Sequence, residues 1–147
     1  MTAGVLTVRP AAGPGEIAAA LELRRAVFVE EQGVTLAEDL DGRDGEAVHL
    51  VAIDHDGGVI GTCRLLAAGE KIKLGRMAVA PVARRRGIAA ALLDAADAQA
   101  VALGGRRIVL AAQTYAMTLY ERAGYTPYGD VFPDAGIEHR WMEKRVA

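Results

Sequence analysis

The chain has one cysteine, Cys63, among its 147 residues. An intramolecular disulfide is therefore impossible, which fits a reducing cytoplasm. The three histidines, His49, His55 and His139, are scattered without metal-ligand spacing, so no metal site is expected. Aromatic residues make up 5 % of the chain and do not interleave with its basic clusters. Every apolar run falls far short of the ~20 residues a membrane span needs. The amino terminus, M-T-A-G-V-L-T-V-R-P, has neither the basic start nor the long apolar core of a signal peptide. Internal repeats and low-complexity tracts are absent too. A cytoplasmic protein with no membrane partner is the expectation.

Apolar residues make up 52 % of the chain, enough for a folded core. A chain of this length is expected to form one domain, residues 1–147, and to bury roughly 70 % of its unfolded surface. The formal net charge of -2 hides an asymmetry. Residues 1–70 hold 12 acidic and 5 basic side chains, whereas residues 71–147 hold 7 acidic and 12 basic. A general nucleic-acid binder is usually basic overall, and this chain, with a pI near 5.9, is not. No nucleic-acid partner is expected.

Along the chain, Val5–Arg9 reads as a strand and Glu16–Val29 as a helix with Ile17, Leu21 and Phe28 on one side. Residues 30–46 read as a loop with at most a short helix. They carry seven carboxylates (Glu30, Glu31, Glu38, Asp39, Asp41, Asp44, Glu46) against one Arg43. That segment is either a solvated surface or an attractor for a cationic amine. Val48–Ile53 and Val59–Leu66 form a hairpin across D-H-D-G-G. Lys71–Val79 alternates until Arg76–Met77–Ala78, where the slip suggests a bulge. Gly87–Leu103 reads as a long helix stopped by Gly104-Gly105. A strand at Ile108–Ala112, a helix at Tyr115–Ala123 and strands near Tyr125–Phe132 and Ile137–Lys144 complete the series. The order β-α-β-β-β-α-β-α-β-β predicts an α/β fold with a mixed sheet and helices on both faces.

The stretch A-R-R-R-G-I-A-A-A-L-L, residues 83–93, puts three arginines before a glycine at a helix start. A helix N-terminus presents unpaired N–H donors and about half a positive charge, so it receives phosphate readily. Gly87 allows close approach and Ala89 and Ala90 keep the next turn open. The phosphate-cleaving G-x-x-x-x-G-K-[ST] pattern is absent, as is G-x-G-x-x-G.

R-R-R-G-I-A (84–89) matches the R/Q-x-x-G-x-G/A signature of the GCN5-related N-acetyltransferases, the GNAT family. L-G-R-M-A-V-A-P (74–81) resembles that family's bulged fourth strand, A-M-T-L-Y-E-R-A-G-Y (116–125) its A-x-x-x-Y-x-x-x-G-F/Y helix, and G-V-I-G-T-C-R-L (58–65) its third strand. The resemblance covers essentially the whole chain, with the motifs in family order. It implies a central sheet of six to seven strands splayed in the middle around acetyl coenzyme A.

The resemblance also implies roles. The pyrophosphate would bind the turn of Arg84, Arg85, Arg86, Gly87, Ile88, Ala89 and Ala90. The pantetheine arm would pair with the backbone of Met77, Ala78 and Val79, and Gln113 stands where many members carry a cofactor-contacting asparagine. Tyr120 occupies the position whose hydroxyl faces the thioester sulfur, as general acid to the leaving thiolate after direct amine attack. Several members use a fourth-strand glutamate as base, but this chain has Lys71, Lys73 and Arg76 there. Glu31, Asp39, Asp41 and His139 are candidates, beside a water chain to bulk. Glu31, Asp39, Asp41 and Arg64 are candidates for acceptor binding, though for Arg64 pairing with the acidic segment comes first. The acceptor would be a small-molecule or protein amine, relatives often form dimers, and a non-catalytic acyl-coenzyme-A-binding module is the alternative reading.

Overall fold

Gly13 and Pro14 set the first boundary: proline at the first helical position has its ring pre-set for the helix and loses no hydrogen bond there. In the computed structural model, which describes residues 6–147, they separate strand β1 (Thr7–Pro10) from helix α1 (Pro14–Arg24). Of the strand expected at 5–9, Val5 lies outside the described residues. The helix expected to run evenly to Val29 instead changes winding at Arg25. Residues Arg25–Glu31 form a π-helical segment, with the Gln32 N–H bonded to the Val27 carbonyl at 3.1 Å. Wider π turns re-aim side chains, and here they turn Phe28, Glu31 and Gln32 into a cleft.

The acidic segment is ordered. Thr35 and Glu38 cap helix α2 (Leu36–Asp39) reciprocally: the Glu38 N–H donates to the Thr35 hydroxyl at 3.1 Å and the Thr35 N–H to the Glu38 carboxylate at 3.1 Å. Strands β2 (Val48–Ile53), β3 (Val59–Ala68) and β4 (Lys71–Val79) follow as an antiparallel meander. The bulge expected in β4 is present. Thr62 faces Ala78 and Arg64 faces Gly75, so β4 carries one extra residue there, and Arg76 takes a left-handed φ of 55°.

Helix α3 (Ile88–Ala102) crosses back to β5 (Arg107–Gln113), parallel to β4, and helix α4 (Met117–Arg122) leads to β6 (Thr126–Asp134) and β7 (Ile137–Arg145). The seven strands lie in the order β1-β2-β3-β4-β5-β7-β6. Alternation along β2 divides the interior: Leu50 and Ala52 join the large core with Ile88, Leu92 and Leu93 of α3, while Val51 and Ile53 pack with Ala20 of α1 on the other face. Gly61 lets α3 sit close to the sheet, since a Cβ there would come within 2.7 Å of Ile88 Cγ2. That contact fixes where the first turn of α3 stands.

The feature that makes a site is the fork between β4 and β5. They pair only through Lys71↔Arg107, Ile72↔Ile108 and Lys73↔Val109. Beyond Lys73 the strands part, and the β4 backbone from Leu74 to Val79 has no strand partner on that side.

Candidate active site

The fork opens into a cleft of about 460 Å³. Its walls come from β4 (Met77, Ala78, Val79), from the ends of β5 and α4 (Gln113, Tyr120), and from the π-helical segment (Phe28, Glu31, Gln32). Arg84 and Ala89 reach it from the start of α3, Asp39 from the acidic segment and His139 from β7. Residues far apart in sequence are thus collected where the parallel strands separate, as the splayed-sheet expectation required.

The turn before α3 is built to leave N–H groups free. Arg85 and Gly87 both have left-handed φ, 64° and 74°, and α3 has no side-chain cap. Alternating conformations of this kind make an anion-holding concavity of backbone amides. A Cβ at Gly87 would meet nothing within 4 Å, so among the described residues this glycine is required by its φ and not by crowding. The three arginines do three different things. Arg84 donates to both carboxylate oxygens of Glu31, at 2.7 and 2.6 Å, and to the Val79 carbonyl at 3.2 Å. Arg86 turns away to Asp54 at 3.3 Å. Arg85 is exposed. Ile88 is buried in the core, so its part in the turn is confined to its backbone.

Tyr120 is 8 % exposed and meets Tyr125 edge-on, with ring centroids 6.1 Å apart at 81°. Burial pushes its phenol well above the ordinary value, so the hydroxyl holds its proton. His139 lies under Phe132, its Nδ1 2.7 Å from the Ile137 carbonyl. A carbonyl only accepts, so Nδ1 carries the hydrogen, and in the uncharged tautomer this selects the lone pair is on Nε2. Glu31 is different: the hydrogen bonds from Arg84 hold its carboxyl below the usual range. Gln113 donates to the Gln32 side-chain oxygen at 2.9 Å, and Gln32 donates to the Tyr115 hydroxyl at 3.4 Å, closing the rim.

The acidic segment is neutralised by arginines. Arg24, 1 % exposed, donates to Asp39 and, at 2.6 Å, to Asp44. Arg64, 4 % exposed, pairs with Asp41 and Asp44, and Arg76 reaches the carbonyls of Glu38 and Asp39 at 3.2 Å. Asp41 lies well below the carboxylate range, chiefly through its hydrogen bonds from Arg64. For Asp44, burial pushes upward, but hydrogen bonds from Arg24 and Arg64 outweigh it and the net shift is down. Arg64 and Asp41 are therefore committed to each other, while Asp39 keeps one oxygen, Oδ2, without a partner. Sequence reasoning missed the cleft residues Gln32, Lys73 and Tyr115, and it missed the Arg24 anchor. Only Lys73 carried a signal: a charged residue on the strand already singled out.

The comparisons fit this geometry. The family model described as an acetyltransferase (GNAT) domain matches residues 18–146. A Mycobacterium tuberculosis protein of the UPF0039 group is 39 % identical over 125 residues, covering 81 % of this chain and 78 % of its own. An uncharacterized N-acetyltransferase of Bacillus subtilis, YjcF, is 33 % identical over 126 residues, covering 85 % and 89 %. Among solved structures, an acyl-CoA N-acyltransferase from Pseudomonas aeruginosa superposes with a TM-score of 0.82 at 28 % identity, over 95 % of this chain and 99 % of that one. The chain belongs to the GNAT acetyltransferase family, whose general reaction is acetyl-coenzyme-A-dependent acetylation of an amine. Among the described residues no helix is long and apolar enough to cross a membrane.

Proposed function

We propose that this protein transfers acetyl from acetyl coenzyme A to an amine by direct attack, without an acyl-enzyme. The observation that carries the reading is the convergence of three things on one cleft: the unpaired β4 edge at Met77–Val79, the uncapped start of α3 through Arg84 and Ala89, and Tyr120. A peptide-like pantetheine arm suits an open strand edge, and a diphosphate suits the amide-rich turn. The donor supplies an activated acyl group; Arg84 to Ala90 and Met77 to Val79 would hold it.

The chain's own residues then manage two protons. His139 takes the proton of the attacking amine at Nε2, and Tyr120 gives its proton to the departing sulfur, as the new carbon–nitrogen bond replaces the carbon–sulfur bond. Glu31 fits the base role less well, because its carboxylate already serves Arg84. Cys63 is outside the cleft, and burial pushes its thiol up to about 12, which supports direct attack over an acylated cysteine. The test is thiol release from acetyl coenzyme A with a panel of amines. Amine-dependent release is expected; release no faster than background hydrolysis with every amine overturns the reading.

A further inference from the structure

Lys73 stands at the apex of the fork, as the last β4 residue paired with β5. It lines the cleft, and its ammonium lies 5.6 Å from the centre of the Trp141 ring. The cations near it are spoken for: Arg64 by Asp41 and Asp44, Arg76 by the loop carbonyls and Asp39. Lys73 is not. Burial pushes its ammonium below the ordinary lysine value, and Arg64, Arg76 and Arg43 push the same way. Asp134 opposes this at Coulombic range, without a hydrogen bond. A cation held among cations beside an open cleft gains most from an anion that arrives with the ligand.

The register shows where such an anion would lie relative to the chemistry. Lys73 neighbours Val109, Trp141 neighbours Ala111, and His139 neighbours Gln113. Val109, Ala111 and Gln113 alternate onto one face of β5, so Lys73, Trp141 and His139 follow one another along it, about 7 Å per step. Phe132 lies nearly parallel to both His139 and Trp141, at 27° and 26°, and makes the face an aromatic shelf. The lysine stem brings its ammonium over Trp141, about one step from the imidazole.

We propose that Lys73 binds a carboxylate on the acceptor, so that the acceptors are amino-carboxylates, with the amine toward His139 and the carboxylate over Trp141. This rests on the amine-acetylation reading above.

Trp141 is the chain's single tryptophan, so its emission reports on this spot alone. Phenylalanine and β-alanine are compared with their carboxamides, on the wild type, K73M and K73R. Charge-assisted hydrogen bonding predicts a kcat/KM for the carboxylates at least about tenfold above that for the amides. K73M should remove this preference by raising KM for the carboxylates with kcat kept, and K73R should restore part of it. A wild type that does not prefer carboxylates, or a K73M effect equal on both series, overturns the proposal. If no amine is acetylated, the functional reading fails and Trp141 emission decides the anchor separately. A carboxylate-dependent change lost in K73M supports it, and no change in the wild type overturns it.

Discussion

Arg84 reaches across from the start of α3 to grip Glu31 with two hydrogen bonds, 2.7 and 2.6 Å long, tying the turn before α3 to the π-helical segment. The pair is partly exposed, so it is worth at most about 1 kcal/mol. If Glu31 serves to hold Arg84 rather than to take a proton, E31Q should leave kcat within about threefold and lower the donor KM by up to about fivefold at low salt. A fall in kcat of about 10²-fold or more would instead mark Glu31 as the base.

Tyr120 gives a sharper test. Y120F should cut kcat by about 10²–10³-fold while changing donor affinity little. Burial raises its folded-state value, so the proton is kept as pH rises, and the alkaline limb of the wild-type profile should lie above the ordinary phenol value of about 10. Single-turnover rates across pH, with calorimetry for donor binding, check both halves.

Gly87 is held at a φ of 74°. G87A should cost about 1–2 kcal/mol of stability through left-handed strain. It should also raise the donor KM, because the added Cβ points to where the phosphates would lie. Denaturant midpoints and donor KM, measured together, would separate the two effects.

Arg24 is the buried anchor of the acidic segment. R24M should destabilise the protein by about 3 kcal/mol, since it leaves buried Asp39 with only the more distant Arg76, at 3.4 Å, as its cation. A loss below about 1 kcal/mol in urea unfolding would show that the segment is held by other means.

Acid should release the same segment. Asp41 and Asp44 are lowered in the folded state, so their pairing is fully present above the unfolded carboxylate value of about 3.9 and is lost as pH falls below it. Protection of the amides at residues 36–46, taken relative to the intrinsic exchange rate at each pH, should fall before that of β2 and β3 as the pH is lowered from about 5 to about 2.

The element order, the β4 bulge and the glycine-bounded α3 were legible because each has a local cause in the chain: alternation that slips at Arg76, or a glycine that ends a periodic run. The π winding at Arg25–Glu31 was not, because a shift from i+4 to i+5 bonding leaves the apolar pattern almost unchanged. The acidic segment misled for another reason. Its nearest cation in sequence, Arg43, pairs with Glu46, whereas its real partners Arg24, Arg64 and Arg76 come from α1, β3 and β4. Side-chain charge is visible in a sequence; pairing over such separations is created by the fold. Likewise His139, Trp141 and Lys73 become one row only when β4, β5 and β7 are laid side by side.

The three-rung seam between β4 and β5 has a mechanical meaning. The strands β1–β4 and β5–β7 resemble two boards joined along a short edge, and whatever lies in the gap acts as a splint between them. A bound donor would therefore add to the cohesion of the whole chain, by about 2.7 kcal/mol at a hundredfold excess over its dissociation constant. The protein's lifetime would then follow the supply of the molecule it consumes.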